Sequence, residues 1–160
     1  CFGVEPEIWQ KAEDNQYVPE TSLTETEIRM PGGHLTIAQL IALLNTIPME
    51  ITFVDVDNIN RFFNEGPKDF KRPGMAIDRE VFSCHPPKIE ATVRRIIGEF
   101  RAGALDEVPI WMDKNGKCML VRYMAVRDKE GKYLGTLELV QDMGFAKEHF
   151  QPEKRQEEIW

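Results

Sequence analysis

The last third of the chain carries three β-like segments that are joined by two tight turns. The segments read LDEVPIWM, KCMLVRYMAVR and KYLGTLELVQDM, and they are rich in the aliphatic, β-branched and aromatic residues that strands favour. Their connections, Asp113–Gly116 and Asp128–Gly131, have the Asp, Asn and Gly content of hairpin turns. Strands joined by connections this short run antiparallel, so the segments predict a three-stranded meander.

The region upstream of the meander predicts two helices and a second hairpin. Thr36-Ile37-Ala38-Gln39 matches a capping box and opens a helix that Pro48 ends. The run EITFVDVDNINRFFNEG predicts a hairpin with its turn at Asp57-Asn58. After a connector broken by Gly and Pro, the run PPKIEATVRRIIGEF predicts a longer helix that Gly103 ends. Its core-facing stripe comprises Ile89, Val93, Ile96, Ile97 and Phe100.

These elements predict an α+β fold, a five-stranded antiparallel sheet with helices on one face, preceded by an N-terminal arm and helix. We expect residues 1–33 to form an arm or linker, residues 34–146 the domain, and residues 147–160 a C-terminal tail. Neither Arg122 nor Glu138 fits a wholly apolar core face. The residues of the last two strands that point inward are therefore left open.

Composition limits the classes of partner. The chain has 20 basic and 27 acidic residues, a net charge of −7, and no basic stripe for nucleic acid. No apolar run approaches the roughly 20 residues of a membrane span, and no signal peptide is visible. The three cysteines have no regular spacing, which is typical of a cytoplasmic protein with reduced thiols. Because the chain opens at Cys1 and not at a methionine, we expect it to be part of a longer parent protein with other domains.

Three stretches resemble PAS sensory domains. NTIPMEITFVDVDNINRFFNEG resembles their opening helix and hairpin, and GKCMLVRYMAVRDKEGKYLGTLELVQDM resembles their closing meander. The stretch CHPPKIEATVRRIIGEF resembles PAS modules found beside a domain of unknown function, and often a hemerythrin-like domain, in bacterial proteins. The resemblance covers roughly residues 35–145. It implies a PAS fold and a signalling module for ligand binding and dimerisation, without catalytic activity of its own.

The resemblance also implies where a small-molecule ligand would lie, namely in an apolar pocket between the sheet and the helices. The sequence names no cofactor, and it lacks the Asn-Cys-Arg-Phe-Leu stretch of flavin photosensors. The alternative is a purely structural dimerisation module whose interior is all core. The residues that we predict to line the pocket are Phe53, Phe63, Phe82, His85, Ile89, Val93, Ile96, Tyr123 and Val140.

The pair Cys84-His85 has three interpretations. Pro86 and Pro87 suit the first turn of a helix, so Ser83, Cys84 or His85 would cap it, and this interpretation is favoured. Imidazole also binds metals and haem iron, which makes His85 the ligand if haem or iron is bound. A thiol at a helix N-terminus is activated, which allows a redox sensor that uses Cys84. Adjacent residues on an extended segment point apart, so the pair does not predict a catalytic dyad.

The helix over residues 36–47 predicts the assembly state. Its apolar residues wrap more than one face, and a helix of that kind needs two packing partners. One partner is its own domain, and we expect the other to be a second copy of the chain in a homodimer. These apolar residues are Leu40, Ile41, Leu43, Leu44 and Ile47.

Overall fold

The computed structural model describes residues 25–67, 69 and 74–151. In chain order its helices and strands are β1 (Glu27–Met30), β2 (Gly33–Thr36), α1 (Ile37–Thr46), β3 (Glu50–Asp55), β4 (Asn60–Phe63), α2 (Pro87–Ala102), β5 (Glu107–Lys114), β6 (Lys117–Arg127), β7 (Tyr133–Asp142) and α3 (Gly144–His149). Short 3-10 turns at Gly74–Ala76 and Val81–Cys84 lie between β4 and α2.

Strands β3 to β7 form one antiparallel sheet in the order β4-β3-β7-β6-β5. This arrangement confirms the predicted α+β fold, with a hairpin, a helical crossing and a meander. The hairpin turns between the last strands are also confirmed. Asn115 (φ 51°) and Gly116 (φ 78°) both adopt the left-handed conformation that a tight β5–β6 hairpin requires.

The N-terminal end of the described chain contains an element that the sequence analysis did not predict. Strands β1 and β2 form a separate two-stranded hairpin, in which Glu27 pairs with Thr36. This hairpin crosses the predicted boundary between the arm (1–33) and the domain. Residues 1–24 and the end of the predicted tail (152–160) lie outside the described residues.

Helix α1 begins with the capping box that the sequence predicts. The Thr36 amide donates to Gln39 Oε1 at 3.0 Å, and the Gln39 amide donates to Thr36 Oγ1 at 3.1 Å. The helix ends at Thr46, two residues before Pro48. None of its side chains is buried, and Ile41 and Leu43 are 46% and 47% exposed. Much of its apolar surface therefore remains uncovered by the described part of the chain.

Asn64, directly after β4, joins the end of α1 to the sheet. Its Oδ1 accepts from the Ile51 amide at 2.8 Å. Its Nδ2 donates to the carbonyl oxygens of Leu44 at 3.1 Å and Met49 at 2.9 Å. The side chain is buried, so these bonds form away from water and fix the connection between α1 and β3.

The core lies between α2 and one face of the sheet. Four of the five predicted stripe residues are buried there: Val93, Ile96, Ile97 and Phe100. The fifth prediction is wrong, since Ile89 is 39% exposed. Ile89 lies on the same face of α2 as the other four residues, but it is in the first, N-terminal turn of the helix. Gly103, with φ 77°, ends the helix as predicted.

Candidate functional site

The sheet face towards α2 is arranged in rows, because residues paired across strands project to the same side. Its central row runs Tyr123, Glu138, Thr52 and Phe63, which pair in that order across β6, β7, β3 and β4. A neighbouring row contains Val121, Val140 and Glu50. Val121 and Val140 pack in one cluster with Ile96 and Phe100 of α2, which identifies this face as the inner one.

Three polar residues lie together in the middle of this inner face. We call Glu50, Thr52 and Glu138 the polar centre. Their exposed fractions are 6%, 4% and 6%. Glu138 is directly opposite Thr52, and Glu50 is a diagonal neighbour of Glu138 across the two strands. Diagonal neighbours in antiparallel sheets are generally about 7–8 Å apart. Two carboxyl groups are thus buried in adjacent rows of a mostly apolar layer, where a charge is costly to bury unless it is compensated.

The hydrogen bonds of the polar centre differ from residue to residue. Glu50 Oε1 accepts from the amide of Asp69, whose carboxylate in turn accepts from Lys117 Nζ at 2.7 Å. That hydrogen bond raises the pKa of Lys117. Thr52 Oγ1 has no hydrogen-bond partner among the residues that the structure describes. An unsatisfied buried hydroxyl lowers the stability of the fold by on the order of 1–3 kcal/mol. Thr52 is therefore a candidate functional residue.

A nearby threonine shows what a purely structural hydroxyl does in this fold. Thr136 is on the inner face of β7, two residues from Glu138, and it is also buried. Its Oγ1 lies 2.7 Å from the Tyr133 hydroxyl and shares a hydrogen bond with it. The fold therefore satisfies one inner-face hydroxyl internally, and Thr52 is the contrasting case.

Most of the predicted pocket residues face this interior. Phe63, Tyr123 and Val140 lie on the inner sheet face, and Phe82, Val93 and Ile96 are buried in the layer that packs on it. The structure separates Phe53 from them, because Phe53 pairs with Leu137 and alternates with Thr52 and Val54. It therefore projects from the outer face. Ile89 is exposed and does not contribute to the interior.

The outer face also accounts for Arg122, which the sequence could not place. Arg122 pairs with Leu139 of β7, one position away from the row of Glu138. Its Nε donates to Glu107 Oε1 at 2.6 Å, and this hydrogen bond lowers the pKa of Glu107. The two charged residues that the sequence left open thus lie on opposite faces, with Arg122 outside and Glu138 inside.

His85 does not cap α2. The N-cap position is Pro86, which makes no side-chain capping bond, although Pro87 takes the first helical position as predicted. Ser83 Oγ instead donates back to the Glu80 carbonyl at 2.7 Å. Because Pro86 and Pro87 have no amide hydrogens, the start of α2 has fewer donors for a cap to satisfy. The side chain of Cys84 lies outside the described residues.

The His85 ring is buried and its orientation is fixed by the preceding 3-10 turn. Its Nδ1 lies 2.7 Å from the Val81 carbonyl oxygen, which can only accept, so Nδ1 carries the hydrogen. In the neutral ring the lone pair is then on Nε2. The described part of the chain contains no group of three or more His, Cys, Asp and Glu side chains placed to hold a metal ion.

The sequence analysis missed Glu50 and Thr52. The signal for them was the alternation in β3, where Glu50, Thr52 and Val54 share one face and Ile51 and Phe53 the other. Both sets contain apolar residues, so alternation alone does not say which set points inward. The pairing with Glu138 and Val140 decides it.

The family model that matches the chain is described as a PAS domain and matches residues 40–144. The crystal structure of a C-terminal domain from Streptococcus mutans is 37% identical, with a TM-score of 0.75, covering 78% of this chain and 98% of that one. The Vibrio cholerae VqmA dimer is 20% identical (TM-score 0.49), covering 71% of this chain and 53% of that one.

A PAS domain from Colwellia psychrerythraea is 15% identical, with a TM-score of 0.48, and covers 66% of this chain and 95% of that one. No curated protein matches the chain. None of the described helices is long and apolar enough to cross a membrane. On the family match and the Streptococcus mutans structure, the chain belongs to the PAS domain family.

Proposed function

We propose that this PAS domain is a sensory module that binds a small molecule between α2 and the inner sheet face, without catalysis of its own. The observation that carries the proposal is the buried Thr52 hydroxyl, which has no partner among the described residues. An interior that served packing alone would be less costly with an apolar residue there. Ligand pockets combine apolar walls with a few placed polar groups, and the inner face has this composition.

The position of the polar centre suits signal transmission. It lies on β3 and β7, which are adjacent in the sheet. β3 begins four residues after the end of α1, and β7 is followed almost directly by α3. A ligand that shifts these two strands would change the pose of both flanking helices. Adjoining domains of a longer protein would respond to that change.

Thermal unfolding in the presence of a library of neutral, anionic and cationic metabolites tests this function. We expect at least one compound to raise the melting temperature of the wild type with saturation, and to lose this effect in Thr52→Val. Valine keeps the shape of threonine and removes only the hydroxyl. Thr92→Val, on the exposed side of α2, is the matched control and should respond as the wild type does. Equal responses of both variants to every compound would rule out binding at the polar centre.

We also propose that the chain forms a homodimer through α1. The exposed Ile41 and Leu43 leave an apolar surface that the described chain does not cover. A second copy of the same helix would cover it in a self-complementary, two-fold contact. No nucleic acid or membrane takes part in this proposal.

We expect light scattering to give a dimer mass for the wild type and a monomer mass for the double variant Ile41→Glu, Leu43→Glu. Two buried charges would make the apolar contact unfavourable. Leu134→Glu is the control, because Leu134 is 42% exposed but lies on β7. A monomeric wild type at high micromolar concentration would contradict the proposal.

A second candidate function is a sensor based on haem or iron, with His85 as the ligand. One observation favours it: the bond from Nδ1 to the Val81 carbonyl orients the ring as backbone carbonyls orient metal-bound histidines. This candidate requires a Soret band or iron absorbance that His85→Asn abolishes while the fold survives. A protein that takes up no haem or iron removes it. A redox role for Cys84 and a purely structural dimer remain alternatives.

A further inference from the structure

We propose that the open edge of β5, the side away from β6, binds an extended peptide segment of a partner protein as an additional antiparallel strand. The segment would have β-branched and aromatic residues at its centre and a basic residue at one end. This surface is separate from the ligand site between α2 and the sheet and from the apolar surface of α1. Its test therefore does not depend on the function proposed above.

The two edges of the five-stranded sheet differ in how the chain covers them. β4 forms one edge, and the connector that follows it covers part of its backbone. The Asn60 amide donates to the Arg79 carbonyl oxygen at 2.9 Å, and the Asn60 carbonyl oxygen accepts from the Asp78 amide at 2.8 Å. Ile59, just before β4, forms a β-bridge with Glu80. β5 forms the other edge and pairs with β6 alone within the described part of the chain.

The backbone groups of β5 that face the open edge follow from its pairing with β6. The Ala125 amide donates to the Asp106 carbonyl oxygen at 2.9 Å, so this pair is hydrogen-bonded. Hydrogen-bonded and non-hydrogen-bonded pairs alternate along an antiparallel ladder. Every second residue from there on therefore directs its backbone groups away from β6: Glu107, Pro109, Trp111 and Asp113.

Pro109 fits this position, because an edge strand tolerates proline where the missing amide hydrogen would face solvent. The edge then offers a partner strand the amide hydrogens of Glu107, Trp111 and Asp113 and the carbonyl oxygens of all four residues. A partner strand would satisfy these groups in the alternating pattern of an antiparallel ladder.

The side chains of β5 also suit an added strand. The run Val108–Met112 contains no charged residue, and Trp111 within it is 61% exposed. Ile110 and Met112 lie on the opposite face, where they are partly buried against the cluster that contains Phe100. An added strand would cover the apolar side chains on both faces of this edge. Apolar edge strands of this kind are the sites at which extended peptides join a sheet.

Charge defines one end of the partner segment. Glu107 forms an ion pair with Arg122, and Asp106 forms one with Arg127. Asp113 lies at the other end of β5, is exposed, and forms no ion pair within the described residues. A basic side chain opposite Asp113 would compensate its charge, and it would set the direction in which the segment binds.

A second copy of β5 fits this edge less well than a basic segment does. Pro109 would remove a donor from each of the two strands. With the two-fold axis at Ile110, all four edge-facing residues are paired. Glu107 of each copy then lies opposite Asp113 of the other, and like charges directly opposite each other are destabilising.

A seven-residue synthetic peptide, acetyl-Lys-Thr-Tyr-Val-Thr-Val-Thr-amide, tests the proposal. Its lysine would lie opposite Asp113 and its tyrosine opposite Trp111. Hydrogen exchange measured by NMR should slow at the amides of Glu107, Trp111 and Asp113 as the peptide is added. The alternate amides of β5 already bond to β6 and should change little: Val108, Ile110 and Met112.

Two N-methylated peptides are the matched controls. N-methylation of the tyrosine removes an amide hydrogen that would point towards β5, and it should raise the Kd roughly tenfold or more. N-methylation of the valine that follows changes an amide that would point away from β5, so this peptide should bind as the parent does. A peptide with glutamate in place of the lysine should bind more weakly than the parent, because it would face Asp113.

Protein variants locate the contact. Trp111→Lys should abolish peptide binding, since lysine on an edge strand opposes the addition of another strand. Leu134→Lys is the control and should bind as the wild type does. Leu134 is also an exposed apolar residue, but it lies on β7, two strands away from the open edge.

Several results would overturn the inference. Slow exchange at Glu107, Trp111 and Asp113 in the dilute chain without peptide would mean that the chain itself covers the edge. Protection that rises with protein concentration alone would assign the edge to a second copy. Equal binding of the two N-methylated peptides, or no binding of the parent peptide, would mean that no strand is added at β5.

Discussion

Replacing Phe100 by alanine is expected to lower the free energy of unfolding by about 3–5 kcal/mol. Phe100 is 0% exposed and belongs to the cluster that holds α2 against β6 and β7. Truncation removes a large apolar side chain and leaves a cavity that the surrounding β-sheet can close only in part. Urea denaturation followed by circular dichroism measures the loss.

Two isoleucines of α2 provide a matched pair for this prediction. Ile96 is buried in the same cluster, and its change to alanine should cost about 2–5 kcal/mol. Ile89 is the same residue type on the same helix but is exposed, so Ile89→Ala should cost less than about 1 kcal/mol. A loss under about 1 kcal/mol for Phe100→Ala would mean that α2 does not pack on the sheet as described.

Gly135→Ala is expected to cost about 3 kcal/mol, at the upper end of the usual overpacking range, or to prevent folding. Gly135 lies on β7 opposite Asp55 of β3. A Cβ atom there would collide with the backbone carbonyl oxygen of Val54 and lie 2.7 Å from the Phe53 ring. β3 is paired on both sides, with β4 and β7, so its backbone cannot move away without breaking a ladder.

Gly98→Ala is the matched control, with the opposite sign expected. Gly98 is an exposed position inside α2, and an added Cβ would meet no atom within 4 Å. Alanine in a helix is favoured over glycine, so this variant should gain about 0.5–1 kcal/mol. If Gly135→Ala changed stability by less than about 1 kcal/mol, the close packing of β3, β7 and Phe53 would be incorrect.

Local signals made the architecture predictable. The capping box at Thr36 and Gln39, the tight turn at Asn115-Gly116 and the stripe of α2 each depend on residues close in sequence. Because the connections between the antiparallel strands are short, few topologies of the sheet are possible. The prediction that Ile89 is buried failed because helical phase gives the face of the helix on which a residue lies. It does not say whether another part of the fold covers that stretch of the helix.

The candidate site depended on contacts between distant residues. Alternation separates Phe53 from Thr52, but which of them points inward is decided by pairing with β7, about 85 residues away in sequence. His85 was predicted as a cap from its proximity to α2, whereas its ring turns back to Val81 in the preceding turn. Sequence spacing does not reveal such a backward contact.

Asn64 has a mechanical consequence for how this domain would act on its neighbours. Its three hydrogen bonds clamp one end of α1 to β3, so the connection behaves as a stiff joint and not as a loose tether. The ten residues of α1 form a lever about 15 Å long. A tilt of about 4° at the joint would displace its free end by about 1 Å. That end carries the β1–β2 hairpin. The Ile37 amide at the start of α1 donates a hydrogen bond to the Thr26 carbonyl oxygen, just before β1, at 2.9 Å. A small rotation of the sheet is thus amplified with distance from Asn64.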